Sequence, residues 1–222
     1  MRSSMFTLGV FLVGSVATSV IAGDARQMSF FVTSSGPGNG ADLGGLKGAD
    51  SHCQKLANAA GAGNRTWRAY LSSQGMDFKD PDVVNARDRI GSGPWHNANG
   101  ELIANNVDEL HSPQNNLNKE TAVDENGKMV NGRTEKPNTH DILTGSRLDG
   151  TSFGPRFFAD MTCGDWTSNG EGSAMLGHHD RVGPNDNAWA KSWNSAHLSK
   201  GCSVEALKKT GGNGLFYCFA ER

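Results

Sequence analysis

The 222-residue chain carries 21 basic and 23 acidic residues, a formal charge of −2. It therefore lacks the cationic surplus of a general nucleic-acid or anionic-membrane binder. Its 29 glycines and 20% charged residues suit a loop-rich domain better than a helical bundle.

The leading segment MRSSMFTLGVFLVGSVATSVIAGDA has one cation, Arg2, no acid before Asp24, and an apolar run from Met5 to Ile21. That grammar predicts a Sec-type signal peptide cut after Ala22, hence a secreted or periplasmic protein with no membrane span in the mature chain. Residues 1–22 would be leader, and residues 23–222 suffice for one domain with its own core. Losing Arg2 leaves 20 basic against 23 acidic residues. Cys53, Cys163, Cys202 and Cys218 are an even number in an oxidising compartment, which predicts two disulfides with three pairings open. No close C-x-x-C pair is present, which argues against a zinc site made of all four.

MSFFVTSS (Met28 to Ser35) is β-branched and aromatic and ends at GPGNG, so it reads as a strand. A helix can start near Asp50, with Cys53, Leu56, Ala57 and Ala60 on one face and Gly61 as its stop. TWRAYLS then alternates Trp67, Ala69 and Leu71 against Arg68, Tyr70 and Ser72 as a half-buried strand. DPDVVNARDRIG spaces Val83, Ala86 or Arg87, and Ile90 for a second, short helix before Gly91. Asn97–Ala104 and Val123–Val130 each centre on Asn-Gly and read as tight hairpins. NNVDELH between them fits a single helical turn. From Asn131 to Asp160 the chain is polar, and no helix or long strand is legible. GSAMLGHH fits a strand, CSVEALKKTGG a short helix, and GLFYCFAE a closing strand. Helices early and strands late, without a βαβ rhythm, indicate an α+β fold with a mixed or antiparallel sheet.

Three segments, GLKGADSHCQKLANAAGAGNRTWRAYLSS, CGDWTSNGEGSAMLG and GLFYCFAE, resemble endostatin, the C-terminal domain of certain collagens. The likeness covers about a third of the mature chain, and bacterial exported proteins of lectin-like type carry similar segments. It implies a C-type-lectin-like fold with a mixed, mostly antiparallel sheet, two main helices and long loops. It also implies nested disulfides, Cys53–Cys218 and Cys163–Cys202. Sugar-binding lectins of this fold hold calcium through Glu-Pro-Asn or Gln-Pro-Asp and a Trp-Asn-Asp. Here Trp193-Asn194 is followed by Ser195, and Glu135–Asn138 is broken by Lys136 and precedes Cys163. Losing a carboxylate and adding an ammonium both weaken a hard-cation site, so classical calcium-dependent sugar binding is not expected. Endostatin's zinc is not carried over either, because after Ala22 no histidine precedes His52. Its glycan-binding arginines would correspond to Arg68, Arg87 and Arg89.

GHHDR (Gly177 to Arg181) with His197 is the densest group of potential metal ligands, and imidazoles with a carboxylate suit zinc or a similar ion. Neighbours on a strand face opposite ways, however, so His178 and His179 share an ion only if this stretch is a loop. Gly150–Gly154 fits the G-x-S-x-G elbow but lacks the strand before it and the helix after it. Asn64–Thr66 is a glycosylation sequon. The expected function is an exported, non-enzymatic binding module for a glycan or other extracellular macromolecule, with no cofactor and no convincing catalytic motif. Its candidate ligand-binding residues are His178, His179, Asp180, Trp193, Asn194, His197, Arg68, Arg87 and Arg89. The alternatives are a metal-dependent hydrolase built on His178, His179, Asp180 and His197, or a purely structural envelope protein.

Overall fold

A computed structural model describes residues 27–75, 82–154 and 158–221. The expected leader and its cleavage point lie outside the described residues. The strand expected from Met28 is β1 (Phe30–Val32), and the first helix is α1 (Gly45–Ala59). Helix α1 begins five residues before Asp50, with Gly44 in the left-handed region at its N-cap (φ 73°). β2 (Trp67–Ala69) follows, then a hairpin of β3 (Trp95–His96) and β4 (Leu102–Ala104), then α2 (Val107–Leu110). β5 (Asp141–Leu143), α3 (Cys163–Trp166), β6 (Met175–His178), β7 (His197–Leu198), α4 (Val204–Lys208) and β8 (Gly212–Ala220) complete the order.

Two local expectations are corrected. The segment from Val83 to Ile90 is not an α-helix: only Ala86–Asp88 coils, as a 3-10 turn. Its backbone groups are claimed from outside. Val84 bridges Ser73, the Ala86 amide donates to Ser72 Oγ, and the Arg87 amide donates to the Gly150 carbonyl. Val123–Val130 closes its Asn-Gly turn through a single bridge, Val123 to Met129, rather than a ladder. The described residues hold four α-helices rather than two main ones, and only α1, with 15 residues, is long.

The sheet has six strands in the order β1-β8-β5-β6-β7, with β2 also paired to β8. β8 pairs antiparallel with β1 along one edge, and along the other with β2 (antiparallel) and β5 (parallel). β5–β6 and β6–β7 are antiparallel, so the architecture is α+β with a mixed, mostly antiparallel sheet. Alternation along the strands divides the core. Phe31, Leu143, Leu176, Phe216 and Cys218 pack with α1, whereas Phe30, Ile142, Tyr217 and Phe219 pack with Tyr70, Trp95 and Trp193 on the other face.

Two nested disulfides stitch these layers. Cys53 on α1 bonds Cys218 on β8 across 165 residues, and Cys163 bonds Cys202 across 39. Beside the outer bridge, Asp50 on α1 takes both contacts of Arg89 Nη2 (2.8 Å each), one from Arg68 (3.2 Å) and the Ala69 amide (2.9 Å). The Asp50 and Arg89 side chains are only 14% and 12% exposed. Asp50→Ala is expected to leave the Arg89 charge unpaired in a largely dry setting and to cost about 3 kcal/mol in denaturant unfolding. A loss below ~1 kcal/mol would place this group with ordinary surface pairs.

Candidate metal centre

The β5–β6–β7 register assembles a buried polar group. Asp141 on β5 is directly opposite His178 on β6, and His197 on β7 is opposite Leu176, two residues before His178. Alternation therefore presents Asp141, His178 and His197 on one face. His140, at the entrance to β5, adds its ring stacked on that of His178, with centroids 4.3 Å apart and planes 16° apart. One oxygen, Asp141 Oδ1, is approached by His140 Nε2 at 3.2 Å, His178 Nε2 at 3.3 Å and His197 Nε2 at 3.4 Å.

These approaches are not hydrogen bonds. Both Asp141 oxygens and His178 Nε2 are buried without a hydrogen-bond partner. His178 Nδ1 faces the Ala190 carbonyl at 2.7 Å, and His197 Nδ1 the Leu198 carbonyl at 3.0 Å. A carbonyl only accepts, so Nδ1 carries a proton in each of these two rings, which leaves Nε2 as the nitrogen turned toward Asp141. His140 Nδ1 faces Asp180 Oδ1 at 3.2 Å, the carboxylate–histidine arrangement that orients metal-ligating rings. A buried carboxylate oxygen without a hydrogen-bond partner, ringed by three imidazole nitrogens, is a setting that a bound cation would complete. Bonds of ~2.0–2.1 Å to a tetrahedral zinc ion place ligand atoms about 3.3–3.4 Å apart, close to the distance of each Nε2 from Asp141 Oδ1.

His140, Asp141 and His178 each offer one atom within 4.8 Å of the others, a buried group able to hold a metal ion. Burial alone would raise the Asp141 carboxyl, but the imidazoles of His178, His197 and His140 outweigh it and hold Asp141 well below the usual carboxylate range. It is thus anionic, as a ligand must be. Asp180 is likewise opposed by burial, but the bonds from His140, Arg133 and Val182 bring it to about 2. The His197 side chain is 35% exposed against 2% or less for the other three, so this side of the group is open to solvent. Gly177 permits the close packing: a side chain there would run into the Trp193 carbonyl, whose chain leads back to Ala190.

The expectation of no convincing catalytic motif, and hence of no enzyme, is corrected by this group. The hydrolase alternative is also redrawn residue by residue. His178 and His197 face Asp141. His179 turns away, its Nε2 against the Asn131 carbonyl at 3.1 Å, and burial pushes its pKa down to about 4. Asp180 stands behind His140 rather than at the centre. His140 and Asp141 were missed, though the adjacent His-Asp in NTHDIL was the available signal.

The other candidates lie apart. Trp193 is 3% exposed and packs on Tyr70, His111 and Tyr217. Asn194, 1% exposed, donates to Tyr70 Oη and to the carbonyls of Arg147 and Leu148. Arg68 pairs with Asp50 and Glu221, Arg87 with Asp108, and Arg89 with Asp50. In Gly150–Gly154, Ser152 Oγ donates to the Ser73 carbonyl, which makes this segment a bonded turn. No protein-family model matches the chain, and no curated protein matches it.

Removing the support behind His140 tests the geometry. Asp180→Asn is expected to weaken metal binding about 10–100-fold, read by competition with a chromogenic chelator. An unchanged affinity would mean that Asp180 does not orient the ring.

Proposed function

We propose that this chain is an exported metal-dependent hydrolase whose ion is held by His140, Asp141 and His178. The observation that carries the reading is the convergence of three imidazole Nε2 atoms on one buried, unbonded carboxylate oxygen. Two imidazoles and a carboxylate are three protein ligands, the number of a catalytic zinc site rather than a closed four-ligand structural one. Such an ion supplies Lewis acidity and a water activated near neutral pH. The chain's own residues do the rest. Asp180 and the Ala190 carbonyl fix the two buried rings. The half-exposed His197 stands on the solvent side, where its imidazole, in contact with Asp141, would pass protons between the buried group and solvent. Its pKa is raised by Asp141, against the opposing effect of burial, which suits a proton carrier.

Export is supported by the leader grammar and by the two disulfides, which persist in oxidising compartments. No helix among the described residues is long and apolar enough to cross a membrane. The endostatin-like and lectin-like likeness offers an analogy of fold, and a fold of this kind does not fix a function.

The test is elemental analysis of protein purified without chelator, followed by hydrolysis of a panel of activated carboxylic and phosphoric esters. About one equivalent of a transition metal, and turnover that chelation removes and zinc restores, are expected. Failure to take up zinc on reconstitution would overturn the reading.

A further inference from the structure

A cleft of about 290 Å³, distinct from the His–Asp group, opens between the His111–Asn115 segment, Leu148 and the chain from Arg181 to Asn194. Its walls are mainly apolar, from Pro113, Leu148 and Trp193, and its cations are Arg181 and Lys191. Arg181 differs from Arg68, Arg87 and Arg89, each of which faces a carboxylate. Its Nε donates to the Leu117 carbonyl at 2.6 Å, Nη2 to Asn115 Oδ1 and Nη1 to the Lys191 carbonyl at 3.5 Å. All three acceptors are neutral, and they engage three of the five N–H groups of a guanidinium.

Among the described residues no carboxylate pairs with Arg181, although it is half-buried and burial pushes its pKa down. A largely desolvated charge without a counter-ion is costly. The backbone at Arg181 is also held in the left-handed region, at φ 53°, which a non-glycine residue adopts only where its surroundings enforce it. The chain thus holds a fixed guanidinium at an apolar cleft and provides no anion of its own. Lys191 at the rim is paired with exposed Asp186, so Arg181 is the cation left to a ligand.

We propose that this cleft binds a small organic carboxylate. Its anionic head meets the free N–H groups of Arg181, and its apolar body lies against Pro113, Leu148 and Trp193. A guanidinium fork matches the two oxygens of a carboxylate, and an apolar pocket with a few convergent polar groups is the usual form of a small-molecule site. This site is independent of the metal reading.

Benzoate serves as the probe, with benzamide as its neutral isostere and inorganic phosphate as an anion without an apolar body. Binding to the full chain is followed by calorimetry and tryptophan fluorescence, since Trp193 lines the cleft. Saturable benzoate binding at least tenfold tighter than that of benzamide or phosphate is expected. Leu148→Glu, at a position 40% exposed, sets a like charge at the cleft and is expected to weaken benzoate at least fivefold with an unchanged unfolding midpoint. Absence of saturation, equal affinity for benzamide or phosphate, or unchanged affinity in Leu148→Glu overturns the proposal. A carboxylate can also ligate a metal ion, so the titration is repeated on the wild-type chain stripped of metal by a chelator. Retained affinity supports the cleft, and lost affinity assigns benzoate to the metal centre and overturns it.

Discussion

Replacing His178 by alanine is expected to empty the metal centre and abolish hydrolysis. The substitution removes one of three mutually close ligands and leaves His140 and Asp141 with the half-exposed His197. The loss in metal affinity should exceed the ~10–100-fold effect of an outer-shell change such as Asp180→Asn. It also leaves the Ala190 carbonyl without its donor, at a cost of about 1–3 kcal/mol that is unrelated to metal. The two effects separate by measuring thermal unfolding with and without chelator. A ligand that binds only the folded state stabilises it by about 2.7 kcal/mol at a hundred times its Kd. Chelation should therefore lower the wild-type midpoint and leave that of His178→Ala unchanged. A variant that still holds one equivalent of metal, or a wild type indifferent to chelator, would remove the basis of the proposed function.

The second large effect concerns the bridges. Closing a loop of 165 residues restricts the unfolded chain by about 5 kcal/mol, and closing one of 39 by about 4 kcal/mol. Total stabilities of ~5–15 kcal/mol are typical, so Cys53→Ser with Cys218→Ser should bring the protein close to unfolding at 37 °C. Cys163→Ser with Cys202→Ser should cost somewhat less stability. Its effect on the metal centre should be the larger, because the inner bridge brackets β6 and β7, which carry His178 and His197. Urea unfolding and zinc affinity of the two double variants check both orders. If the outer pair proved the cheaper to remove, chain entropy would not be the main contribution of these bridges.

Much of the frame was legible because its elements repeat a local pattern. Cys53, Leu56, Ala57 and Ala60 mark one face of α1, and the alternation in GLFYCFAE marks β8. The Cys53–Cys218 pairing followed from a resemblance, since spacing alone left three choices. β5 was not legible. It is only three residues, Asp-Ile-Leu, all buried, and three residues contain no period to read. Its position becomes clear only from its partners β8 and β6.

The candidate site failed to show for the same reason. His178, His179 and Asp180 are neighbours in sequence, yet the strand sends His178 to the centre and His179 to the Asn131 carbonyl. His140 and Asp141 lie 37 or more positions before His178 and meet it only through the β5–β6 register. Helix expectation at Val83–Ile90 failed differently. The periodicity was there, but Ser72, Ser73 and Gly150 had claimed the amides and carbonyls that a helix would need.

The position of β8 bears on the order of assembly. β1, β2 and β5 are far apart along the chain, and each docks on this later strand rather than on one another. Until residues 212–220 have emerged from synthesis or translocation, those three segments have no common template, and the thiol on α1 has no oxidation partner of its own. Contacts of such sequence separation slow folding, because closure entropy is lost before pairing compensates for it. The ribbon thus acts as a keystone: a nascent chain short of it would remain open to proteases and to mispaired cysteines.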